Sequence, residues 1–117
     1  MIGANLEGAN LSGVNLSGFN LENFLFIKTN LSGANLSGAI LKDAELSQVK
    51  LKDSILINAN LEKAKLFDSD LQNANFENAN LKKVSLSGAN LTNANFKNAQ
   101  MNNSFFIETE SKKANFQ

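Results

Sequence analysis

The chain has 117 residues, room for one domain. Eleven basic residues, all Lys, balance eleven acidic ones, so no net charge draws it to nucleic acid or an anionic membrane. Cys, His, Trp, Tyr and Pro are absent, which removes disulfides, thiolate metal sites and any side chain titrating near neutrality when unperturbed.

The chain starts Met1-Ile2-Gly3-Ala4-Asn5-Leu6, with neither a basic region nor an apolar signal core. No apolar run approaches the roughly 18 residues of a membrane span. We therefore expect a cytoplasmic protein with no membrane contact. From Met1 a large apolar residue recurs every fifth position, through Leu6, Leu11, Leu16 and Leu21 to Phe116. Of 24 such positions, 23 are Leu, Phe or Met, and Ser111 is the exception. Two residues before each comes a small one, Ala in 13 of 23 cases. Asn usually stands between them, as at Asn10, Asn35 and Asn90. All seven glycines lie two residues after the large apolar position.

A period of five fits neither a helix nor a sustained strand. Ala-Asn-Leu alternates in, out, in, and two polar residues that tolerate positive φ then turn a corner. The register never slips, so residues 1–117 read as a single repeat domain. A three-sided or four-sided coil would satisfy this period. Units such as Ala9-Asn10-Leu11-Ser12-Gly13 and Ala89-Asn90-Leu91-Thr92-Asn93 make the chain resemble the pentapeptide repeat family. That resemblance implies an all-β, right-handed quadrilateral β-helix, here a solenoid of about six coils of 20 residues. Such a rod would be about 28 Å long at roughly 4.8 Å per coil.

In the first coils, Phe19 and Phe24 occupy the small inward position. They must widen the coil, displace Leu21 or Phe26, or turn outward. With residues 20 apart stacked, Glu22, Lys42, Glu62 and Lys82 form a column of alternating charge, and Lys50 lies beside Asp70. Asn15, Asn35, Asn75, Asn95 and Asn115 share a column fit for amide ladders, interrupted by Ile55. Outward apolar residues favour one side: Leu25, Ile27, Phe67, Phe105 and Ile107. In the last coil, Ser111 replaces the central Leu while Phe105, Phe106, Ile107 and Phe116 gather apolar bulk. No helical pattern supplies a cap at either end.

No phosphate loop, metal cluster or nucleophile with its base can be assembled from these residues, and we expect neither enzyme activity nor a cofactor. With no Arg and no basic cluster, nucleic-acid binding is not expected. The function expected is a non-catalytic rigid solenoid, serving as a protein-protein interaction or scaffold module. Its candidate interaction residues are Leu25, Ile27, Phe67, Phe105, Phe106, Ile107 and Phe116. The partners expected are an unidentified protein and a second copy, paired as a homodimer through the C-terminal coil. The alternative is a DNA mimic acting on DNA gyrase or topoisomerase, an activity of some similar proteins. Zero net charge opposes it, as does Asn rather than Asp before most leucines.

Overall fold

The computed structural model describes residues 3–117; the repeat position at Met1 lies outside them. The backbone makes a two-residue turn after every fifth residue. In nearly every unit the large apolar residue's C=O accepts the N–H three residues on, as in Ala9 N–H to Leu6 O at 3.0 Å and Ala59 N–H to Leu56 O at 3.1 Å; at Leu66 the Ser69 hydroxyl donates instead. The second residue of each turn has positive φ, from 54° at Asp68 to 77° at Gly88. Gly, Asn and Asp enter this region readily. Lys28, Lys63, Lys83, Gln48 and Glu108 adopt it as well.

Between turns, one residue per unit forms a parallel bridge with the residue 20 further on, from Asn5 with Leu25 to Asn95 with Asn115. Leu25 N–H donates to Ala4 O at 2.9 Å, and Leu25 O accepts from Leu6 N–H at 2.8 Å. Each circuit of 20 residues thus lies on the one before, and its five-residue segments form four stacks. The large apolar residues fill the interior. Leu31 to Leu71, and Phe26, Phe76 and Phe96, are completely or almost completely buried in one hydrophobic cluster. Phe76 and Phe96 stack at 4.9 Å with their planes 5° apart, and Phe116 continues the column at 5.2 Å from Phe96.

Two parts of the expected fold class are corrected here. The described residues contain no helix and no β-sheet, because all pairing consists of isolated single-residue bridges. The in-out-in segment is only three residues long before the backbone turns, so no strand develops on either side of a bridge. The body is also compact, with a radius of gyration of 12.2 Å and extents of 34 × 22 × 22 Å. A stack this short is only about one and a half times as long as it is wide. The elongated right-handed quadrilateral β-helix solenoid is therefore not the architecture of this chain. The rigid solenoid scaffold expected as its function falls with it. The DNA-mimic alternative, which also needs an elongated charged rod, falls on the same finding.

The inward aromatics are accommodated locally. Phe19 is 54% exposed. Phe24 is half-buried and lies against Phe26, with ring centroids 5.7 Å apart. Leu21 and Phe26 keep their buried places, and the bridges Asn20 with Ile40 and Leu25 with Glu45 are intact. Polar residues at the small inward position bond to backbone. Thr29 Oγ1 donates to Leu6 O at 2.7 Å and Ser69 Oγ to Leu66 O at 2.7 Å. Among the described residues no buried side-chain polar atom lacks a partner.

Candidate interaction surface

The Asn before each Leu has a local task. Its Oδ1 accepts the N–H of the first turn residue, as in Ser12 N–H to Asn10, Ser32 N–H to Asn30 and Thr92 N–H to Asn90, at 3.0 to 3.2 Å. This satisfies a donor that the backbone register leaves unpaired. Asp70 performs the same task for Gln72 N–H at 3.1 Å. Among the described residues, amide ladders form only between Asn75, Asn95 and Asn115, through Nδ2 donors at 3.2 and 3.3 Å. Among the described residues the one ion pair joins Lys65 Nζ to Glu45 Oε1 at 3.0 Å. The Glu22, Lys42, Glu62, Lys82 column makes none within itself. Lys50 and Asp70 meet through a backbone bridge rather than a salt bridge.

The candidate interaction residues fall into three places. Phe105, Phe106, Ile107 and Phe116 cluster in the last circuit. Ile107 is 65% exposed, Phe105 57% and Phe116 49%, while Phe106 is half-buried and meets the Phe116 ring edge-on at 6.2 Å. Phe67 lies two circuits away and is 38% exposed. Leu25 and Ile27 are half-buried, two circuits further. Ser47 and Ser87 interrupt one column of this stack. Glu45, Lys65 and Ser85 separate Leu25 from Phe105 in the other. About 19 Å lies between Leu25 and Phe105 at roughly 4.8 Å per circuit.

A depression of about 190 Å³ opens between Met101, Phe106, Thr109, Ser111 and Phe116. It sits in the last circuit, where Ser111 takes the place of a core Leu. Sequence reasoning located the substitution and the aromatic cluster, but not the hollow they enclose. A polar depression lined by Asn20, Glu22, Asn23 and Phe24 lies in the first two circuits and was not foreseen.

The family model described as pentapeptide repeats matches residues 4–43, 44–82 and 69–107 of the chain. The chain belongs to the pentapeptide-repeat family. Its relatives of known structure include the pentapeptide repeat protein Rfr23 from the cyanobacterium Cyanothece 51142. That protein is 33% identical, with 90% of this chain and 89% of that chain covered and a TM-score of 0.73. A pentapeptide repeat protein of the Arabidopsis thaliana thylakoid lumen is 27% identical, over 93% of this chain and 66% of that one, with a TM-score of 0.56. HetL of Nostoc, involved in heterocyst differentiation regulation, is 27% identical over 96% of this chain and 61% of that one, with a TM-score of 0.54. The pentapeptide-repeat chain thus spans slightly under two thirds of the length of these last two. No curated protein matches it.

The pentapeptide-repeat chain holds no His or Cys, its interior is filled with hydrocarbon, and among the described residues no three acidic side chains come together in a group that could hold a metal ion. No helix among the described residues is long and apolar enough to cross a membrane.

Proposed function

We propose that this protein is a non-catalytic binding protein whose partner is another protein, held at the last circuit of a compact body. Phe105 and Ile107 form the side of that surface, and Phe106 and Phe116 line its end. The observation that carries the reading is the apolar cluster around the depression at Ser111. Large apolar side chains are here concentrated, three of them about half exposed or more, whereas in the preceding circuits Phe19, Ile40, Ile55 and Phe67 stand exposed singly. Such exposed concentrations mark protein contacts. Phe67, Leu25 and Ile27 lie on the same stack as Phe105 and Ile107 and extend the surface toward the first circuits. A second copy pairs through the same terminal circuit, where a two-fold contact covers both depressions at once.

Two measurements test this. Sedimentation at micromolar concentration should show a dimer that Phe106→Asp weakens. A monomer, or a dimer indifferent to Phe105→Asp, Phe106→Asp and Phe116→Asp alike, refutes pairing through the terminal circuit. For the protein partner, capture from native extract should be compared between the native chain and Phe105→Asp/Ile107→Asp. A protein retained equally by both chains would refute the surface.

A further inference from the structure

The stack containing Leu21, Leu41, Leu61 and Leu81 carries seven charged residues without ion pairs in a single outward array. Its outward residues run Asn20, Glu22, Asn23; Ile40, Lys42, Asp43; Asn60, Glu62, Lys63; Asn80, Lys82, Lys83. Successive rows are held in register by the bridges Asn20 with Ile40, Ile40 with Asn60 and Asn60 with Asn80. Glu22, Lys42, Glu62 and Lys82 stand in one column, about 4.8 Å apart. That spacing would permit pairing up and down the column, yet the ion pair of the described residues lies elsewhere, at Lys65 and Glu45.

The order of signs has a property that does not depend on pairing within the column. Read backwards, Glu-Lys-Glu-Lys becomes its own complement. A two-fold axis lying along the segments, between the Ile40 row and the Asn60 row, sets two copies face to face with the rows reversed. Columns then face themselves. Glu22 meets Lys82 of the second copy, and Lys42 meets Glu62. In the neighbouring column Asp43 meets Lys63, and Asn23 meets Lys83. No like charges are directly opposed. Ile40, 37% exposed and the one large apolar residue in its outward column, falls beside the axis. There it is covered by Asn60 of the second copy and lies diagonally next to its own counterpart. The arrangement has an apolar centre with charged pairs around it, as protein interfaces do. On the stack of Lys50 and Asp70, the reversal that opposes those two leaves Lys52 against Gln72 and Asp53 against Asn73.

We infer that this charged side is a self-recognition surface, which pairs two copies of the chain laterally and antiparallel. Its partner is the same side of a second molecule. It uses none of the apolar residues of the terminal circuit, so the two contacts are separable. Because the pairs are exposed at their rim, the association is weak and depends on salt. Orientation comes from the sign pattern, since a parallel arrangement would oppose like charges along the whole column.

The test is sedimentation velocity of the native chain and two variants. Lys42→Glu/Lys82→Glu makes the column wholly acidic, and Glu22→Lys/Glu62→Lys makes it wholly basic. The native chain should gain association at about 0.01 M ionic strength and lose that gain at about 1 M, as the Debye length falls from roughly 30 Å to 3 Å. Each variant alone should lose at least about tenfold in low-salt association, whereas an equimolar mixture should pair. Phe106→Asp should leave this salt-sensitive pairing in place. Circular dichroism identical to the native spectrum certifies that each variant is folded, and the salt titration of the native chain needs no variant. Absence of low-salt association in the native chain would overturn the inference. So would salt-sensitive association that survives Lys42→Glu/Lys82→Glu, or a mixture that pairs no better than its components. Association that is insensitive to salt but lost in Phe106→Asp would assign all pairing to the terminal circuit.

Discussion

Replacing Lys28 should stabilise the protein. Lys28 is the second residue of its turn, with φ at 59°, and its side chain is exposed. For an L-residue with a Cβ, this left-handed conformation costs roughly 1–2 kcal/mol. Glycine escapes that cost, but its freer unfolded chain returns roughly 0.5–1 kcal/mol of the gain. Lys28→Gly should therefore raise stability by about 0.5–1 kcal/mol. Lys28→Asn should also stabilise, because Asn tolerates the region and loses less entropy than Gly. Lys28→Val should destabilise by about 1 kcal/mol or more, since a β-branched residue is an outlier there. Ser47→Gly, one residue before another such position, is the control and should show only the entropic loss. Urea unfolding monitored by circular dichroism gives each difference as a shift in midpoint at constant slope. The reasoning fails if Lys28→Gly is destabilising, or if Lys28→Val equals Lys28→Gly.

Further predictions rest on the interior and the turns. Phe96→Ala should cost about 3–5 kcal/mol in chemical unfolding, because it removes the middle ring of the Phe76–Phe96–Phe116 column. Phe96→Leu should cost less than half as much, since Leu36 and Leu56 occupy the same column in earlier circuits. Ser69→Ala should cost about 1 kcal/mol, because the Ser69 hydroxyl supplies the hydrogen bond to Leu66 O that the turn N–H makes elsewhere. Ser54→Ala should cost less, as Ser54 N–H already donates to Leu51 O at 3.1 Å. Gly88→Ala and Gly38→Ala should cost the same within about 0.5 kcal/mol by thermal melting. A Cβ at Gly88 would meet Asp68 Oδ1 at 2.0 Å, but that exposed carboxylate can rotate away, and both sites otherwise carry the same positive-φ penalty.

Much of this molecule is legible without coordinates, for a physical reason. Leu at every fifth position states which side chains are inside, and the unbroken register forbids loops. The places of Leu31 and Phe76 could be named from spacing alone. Overall proportions could not, because shape depends on how many circuits stack relative to their width. The extent of β-structure was also missed: the alternation in Ala-Asn-Leu looks strand-like, but it ends before a second bridge can form. The role of Asn was concealed differently. An outward Asn in a column suggests side-chain ladders, whereas at Asn10, Asn30 and Asn90 the amide oxygen turns back to its own chain. That choice depends on the orientation of the next N–H, which composition does not encode. At the candidate surface, Phe105, Phe106, Ile107 and Phe116 stood out because they crowd around a missing Leu. The hollow between them depends on rotamers and on the T-shaped contact of Phe106 with Phe116.

The bridge between each residue and the one 20 further on also determines how such a chain can be edited. Adding or deleting one residue would carry every later leucine out of the interior. Adding five would leave the interior unchanged but move everything downstream by one stack. A second copy of Ala59–Lys63, inserted after Lys63, would keep Leu66 in a core position while carrying Phe67 away from Ile27 and beside a different set of neighbours. Duplications of five residues can therefore reshuffle the exterior of the molecule wholesale while its interior stays readable, and only duplications of 20 preserve both.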